Sequence, residues 1–147
     1  MNKRGFTLIE LLVVIAILGL LSTLAVVALG SARTKSRDSK RLSDLKQLQT
    51  ALELYYTENT AYPTGTAISL GDPTHICLNK SGWSPTISCA GAYMAKIPTG
   101  PNTGEFYLYT GATSTFTVTS VLEDSMGGLT GTVTLSPAGL TATSTTP

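Results

Sequence analysis

Proline does not occur before Pro63, so nothing in the first 62 residues forbids one unbroken helix. Charge is almost as scarce: across residues 6–32 the only ionisable side chain is Glu10. Histidine occurs once, at His75, and one imidazole alone does not make a metal centre. The two cysteines, Cys77 and Cys89, lie 12 positions apart, which excludes a C-x-x-C redox motif. No nucleophile–base pair and no phosphate-binding loop is visible, so the sequence points away from an enzyme.

What the chain does have is a long apolar run behind a short basic start. Lys3 and Arg4 favour a cytoplasmic location for that end. Residues 6–29 exceed the roughly 20 needed to cross a bilayer as a helix. A carboxylate inside such a segment costs roughly 2.5–3.5 kcal/mol, so Glu10 requires a partner or a function. A cleavable secretory signal is the competing reading, with Ala28-Leu29-Gly30 as its small-x-small site. The run is longer than the ~7–15 residues of a signal core, and such a core gains nothing from Glu10.

Immediately after the run, Arg33, Lys35, Arg37, Lys40, Arg41 and Lys46 cluster, with Asp38 and Asp44 between them. The expectation is a solvated helix face with local pairs such as Asp38 with Arg41 or Lys35. Binding of DNA phosphates or anionic lipid is the alternative. Six cations on the outer side against two on the inner oppose the positive-inside tendency. Behind a membrane anchor Cys77 and Cys89 are expected to pair as a disulfide, two free buried thiols being the alternative; that pairing and the Thr-, Ser- and Gly-rich remainder argue for a location outside the cytoplasm.

Leu42, Leu45, Leu48, Leu52 and Tyr55 step by three and four, and Leu54 and Tyr56 are expected to widen the stripe. One helix from near Phe6 to near Thr57 is predicted, apolar all round in its first half and striped over residues 33–59. Asn59-Thr60-Ala61-Tyr62-Pro63 ends it. Residues 60–101 read as a long loop stapled by the cysteines. Residues 105–110 and 115–122 alternate and are rich in aromatic and β-branched side chains, and residues 132–135 form a candidate third strand. The fold class is α+β: a long N-terminal helix whose second half packs on a small antiparallel sheet within 102–136. The Thr-rich residues 137–147 read as a flexible tail.

The stretch Lys3-Arg4-Gly5-Phe6-Thr7-Leu8-Ile9-Glu10 and the apolar helix after it resemble the start of type IV pilins and the related pseudopilins. Ala51-Leu52-Glu53-Leu54-Tyr55-Tyr56, followed by Ala61-Tyr62-Pro63-Thr64, is similar to their helix end and turn. The resemblance is close over residues 1–64 and one of pattern beyond. It implies a leader of residues 1–5, cut between Gly5 and Phe6 by a prepilin peptidase, with N-methylation of Phe6. Glu10 would then pair with the Phe6 ammonium of a neighbouring copy, and the apolar helices would form the core of an open helical homopolymer. The chain departs from many type IV pilins in having no proline in the apolar helix.

The resemblance implies a structural subunit, inserted in the cytoplasmic membrane as a precursor and handed to inner-membrane assembly machinery. The first expectation is a surface pilus serving adhesion, twitching motility or DNA uptake. The alternatives are a major pseudopilin forming a short periplasmic piston in type II secretion, and a minor tip subunit binding DNA or a surface. No cofactor is expected, although loops of some major pseudopilins bind calcium; the oxygen donors here would be Asp72, Glu123 and Asp124, which are scattered.

Overall fold

The computed structural model describes residues 5, 7–85 and 89–143 and divides the chain into two compact units, Met1–Thr34 and Lys35–Pro147. Helix α1 runs Leu8–Asn59. Seven strands follow: β1 (Gly65–Leu70), β2 (Cys77–Asn79), β3 (Gly82–Ser84), β4 (Tyr107–Ala112), β5 (Thr115–Val121), β6 (Thr132–Ser136) and β7 (Gly139–Thr143). Five of them form an antiparallel sheet in the order β1-β4-β5-β6-β7, while β2 and β3 pair as a separate hairpin.

The core of the second unit is the helix stripe covered by the sheet. Leu45, Leu48 and Leu52 are fully buried, and Leu42 and Tyr55 pack partly against them. From the sheet, Tyr107 and Tyr109 of β4, Phe116 and Val118 of β5, and Val133 and Leu135 of β6 point inward at alternate positions. Each buried leucine contributes about 1.5–3 kcal/mol relative to an exposed one. Leu54 and Tyr56 do not widen the stripe as expected; both are exposed. Leu54 lies about 200° around the helix from Leu52, which takes it to the opposite side.

The sheet is larger than the sequence suggested. The stretch read as a loop over residues 60–101 contributes β1 and the β2–β3 hairpin, and the residues read as a tail contribute β7. The signals were weak for physical reasons. In β1 the register shifts between Gly65 and Ile68, with Ala67 in the left-handed region (φ 54°), so its side chains do not alternate. Strands β2 and β3 have only three residues each. Strand β7 (GLTAT) is held through pairing with β6 rather than by an apolar pattern of its own. Strand β4 begins at Tyr107, two residues later than expected. Residues 144–147 lie outside the described residues.

Two backbone details fix how the chain leaves the helix. Thr60 adopts φ 56° and donates its N–H to the Tyr56 carbonyl at 2.7 Å, a helix-ending role usually taken by glycine. Further on, the Tyr109 hydroxyl donates to the Pro63 carbonyl at 2.5 Å, tying the segment after the helix to β4. Gly111 is required by that contact: a Cβ there would lie 2.1 Å from the Tyr109 oxygen and 2.4 Å from the Pro63 oxygen.

Gly111→Ala is therefore expected to destabilise the chain by about 2–4 kcal/mol, through overpacking and loss of a buried hydrogen bond. Thr60→Gly is expected to stabilise it by about 1 kcal/mol, because a β-branched residue at positive φ is strained. Urea unfolding of the detergent-solubilised chain, followed through the single tryptophan Trp83, measures both.

Candidate functional site

The start of α1 is a capping box. Glu10 donates its N–H to Thr7 Oγ1 (3.3 Å), while its Oε2 accepts the Thr7 N–H (2.8 Å) and the Thr7 hydroxyl (2.9 Å). The carboxylate thus covers donors that the first helical turn leaves unpaired, at the end where the helix dipole favours negative charge. Gly5 is exposed; Phe6, the expected new N-terminus, lies outside the described residues. The Thr-x-x-Glu spacing is the sequence signal of this box, and the structure adds Thr7 to Phe6 and Glu10 as a residue of the site.

After the cap the first unit is apolar and uncovered. Residues 8–29 are exposed throughout, from Leu8 (82%) to Leu29 (51%), and include an 18-residue window of mean hydropathy 2.9. The hydroxyls of Ser22 and Thr23 turn back onto the carbonyls of Leu18 (2.7 Å) and Leu20 (2.8 Å). These polar side chains therefore carry no unmet need for water, which suits a hydrocarbon environment.

The basic stretch after the run is not simply a solvated face. Arg41 is almost fully buried (2% exposed) beside Asp38 (0%). Its Nη1 donates to Asp38 Oδ1 at 2.7 Å, its Nε to Glu105 Oε1 at 2.6 Å, and its Nη2 to Glu105 Oε2 and Glu123 Oε1, each at 2.8 Å. Arg37 forks onto Glu123, and Lys40 reaches Asp44 at 2.6 Å. The expected Asp38–Arg41 pair is therefore present, but interior rather than exposed. Arg33, Lys35 and Lys46 have no ion-pair partner among the described residues, so half of the basic cluster remains open to solvent. Had the stripe of Leu45, Leu48 and Leu52 been carried back by three and four, it would have landed on Arg41 and Asp38.

These contacts shift the acids. Arg37 first and Arg41 second hold the Glu123 carboxyl down at about 2, and the Arg41 guanidinium likewise lowers that of Glu105. Burial, reinforced by a hydrogen bond to Asp44 at 2.7 Å, pushes the Tyr107 phenol upward.

Cys77 and Cys89 are joined in a disulfide with Cα atoms 6.5 Å apart, Cys77 opening β2 and fully buried. It stabilises on the order of 3 kcal/mol by constraining the unfolded chain. The three carboxylates considered for calcium are engaged separately. Asp72 Oδ1 accepts the N–H groups of Thr74 and His75 in its own turn and meets the His75 ring at 3.0 Å. Asp124 Oδ1 accepts the Ser125 N–H, and Glu123 is held by the two arginines. Among the described residues no group of three His, Cys, Asp or Glu side chains could hold a metal ion.

The low-lying Glu123 carboxyl has a pH consequence. A group whose acidity is strengthened by folding contributes stability above its unfolded value near 4.5, and that contribution is lost as pH falls toward 2. The unfolding midpoint should stay level from neutral pH to about 4.5 and then decline, and Glu123→Gln should remove part of that decline. Thermal scans across this range measure it.

Comparison with known proteins accounts for both halves. The family model for the prokaryotic N-terminal methylation motif matches residues 1–30, and that for type II secretion system protein G matches residues 28–134. Type II secretion system core protein G of Vibrio cholerae is 31% identical over 135 residues, covering 89% of this chain and 88% of that protein. The Aeromonas hydrophila protein of the same name is 36% identical over 107 residues, 69% and 71% of the two chains. The Klebsiella pneumoniae protein is 47% identical over 63 residues, 43% of this chain and 45% of its own. The chain spans less than half the length of the Klebsiella relatives it matches. No solved structure gives a significant match. With its protein G domain matched from residue 28 to residue 134 behind a methylation motif, the chain belongs to the type II secretion system protein G family, the pseudopilins.

Proposed function

We propose that this chain is a non-catalytic structural subunit of a type II secretion pseudopilus, held in the cytoplasmic membrane as a precursor and then polymerised with copies of itself. Of the readings open from the sequence, the relatives favour the secretion piston over the surface pilus for adhesion, motility or DNA uptake. The observation that carries the proposal is the fully exposed apolar helix of residues 8–29, which begins at a capped carboxylate. An uncovered apolar surface of that extent requires lipid or other apolar helices around it.

Processing is assigned to the Gly5–Phe6 bond, by a prepilin peptidase that also methylates the Phe6 nitrogen. Glu10 retains acceptor capacity beyond its two bonds to Thr7, since a carboxylate offers about four lone-pair sites. The Phe6 ammonium of an incoming copy fills that capacity, neutralises the carboxylate among the packed apolar helices and sets the axial register. Head-to-tail addition through this pair does not close on itself and yields a helical polymer.

Intact-mass measurement of the membrane-exported chain should find an N-terminus at Phe6, one methyl group heavier than the bare peptide. A mature N-terminus near Ser31 would instead support an ordinary secretory signal and defeat the proposal. In cells carrying the assembly machinery, Glu10→Val should be processed normally, yet cross-linked polymer fibres recovered from the cell envelope should fall at least about tenfold, the effect of losing ~1.4 kcal/mol per added subunit. Normal fibre yield from that variant would remove Glu10 from the mechanism.

A further inference from the structure

The segments on either side of the β4–β5 pair, residues 99–106 and 122–131, lie largely outside the sheet, yet both are fastened to α1 at one place. Buried Asp38 accepts the backbone N–H groups of Glu123 (3.0 Å) and Asp124 (2.9 Å) as well as Arg41 Nη1. Arg41 spans the two segments, with its Nε/Nη2 fork on Glu105 and the same Nη2 on Glu123. The Asn102 amide bridges Glu105 (2.9 Å) and Glu123 (3.4 Å) from the outside.

This arrangement does not suit a calcium ion of the kind that loops of some major pseudopilins bind. A calcium site needs six to eight oxygen ligands at about 2.3–2.6 Å. Here both oxygens of Asp38, Glu105 and Glu123 already accept hydrogen bonds from nitrogen donors. A divalent ion would also have to displace two guanidinium groups or sit against their charge. We propose that the Arg41 guanidinium, supported by Arg37, takes the place of a divalent cation in this chain, so that the loops at 99–106 and 122–131 are held to the helix by a fixed internal counter-ion and the fold is independent of calcium. The planar fork matters: a lysine ammonium cannot engage Glu105 through two bonds while a third nitrogen holds Asp38. The inference stands on the second unit alone and does not depend on whether the chain polymerises.

The test uses the full chain in detergent micelles, unfolded by heat in excess EGTA and again in millimolar calcium, with isothermal titration of calcium at neutral pH. The expected result is a midpoint unchanged within about 1 °C between the two conditions and no saturable binding heat. Arg41→Met and Arg41→Lys should each lower the midpoint, the former by on the order of 10 °C, because a buried carboxylate is left unpaired. Calcium should restore neither. A midpoint that falls by several degrees in EGTA, or stoichiometric calcium binding by the unaltered chain, would overturn the proposal without reference to the variants.

Discussion

A helix that enters hydrocarbon must satisfy its backbone internally, and a helix that enters a folded domain must offer one apolar stripe and keep polar side chains elsewhere. In this chain the same hydrogen-bond ladder meets both demands between Leu8 and Asn59. No proline interrupts it, the Thr7–Glu10 box closes its first turn, and Thr60 in the left-handed region ends it. Everything else is built on that ladder. The apolar residues 8–29 need surroundings the chain does not provide for them, while Leu45, Leu48 and Leu52 supply the floor on which the sheet is laid.

Where the amino-acid pattern is local, it was readable. The approximate span of α1 and the existence of β4, β5 and β6 follow from periodicity over a few residues, and the pairing of the two cysteines from their place behind an apolar anchor. What escaped is non-local. Glu105 and Glu123 lie 64 and 82 residues from Arg41, and no spacing rule joins them. Strand β7 exists through its partner β6, and the bulged β1 through β4. The basic cluster shows the limit most clearly: composition alone marks it as a solvated or phosphate-binding face, whereas folding draws Arg41 into the interior and pairs Arg37 and Lys40.

That redistribution bears on membrane topology. Six cations beyond the apolar run seemed to outweigh Lys3 and Arg4. Three of the six are matched by carboxylates once the domain folds, so the folded second unit presents much less uncompensated positive charge than the unfolded count implies. The positive-inside tendency acts on the chain during insertion rather than on the finished fold. The tension therefore belongs to biogenesis and not to the folded domain.

The Arg41 junction has a consequence for cooperativity. One side chain joins the helix to two segments far away in sequence; of the carboxylates it touches, buried Asp38 is the costly one to leave alone, while Glu105 and Glu123 keep part of their surface in water. Docking of any one segment thus raises the value of docking the others, and peeling one away exposes the rest to an electrostatic penalty. The loops flanking β4 and β5 are thereby enrolled in the same all-or-none transition as the hydrophobic centre, instead of fraying ahead of it.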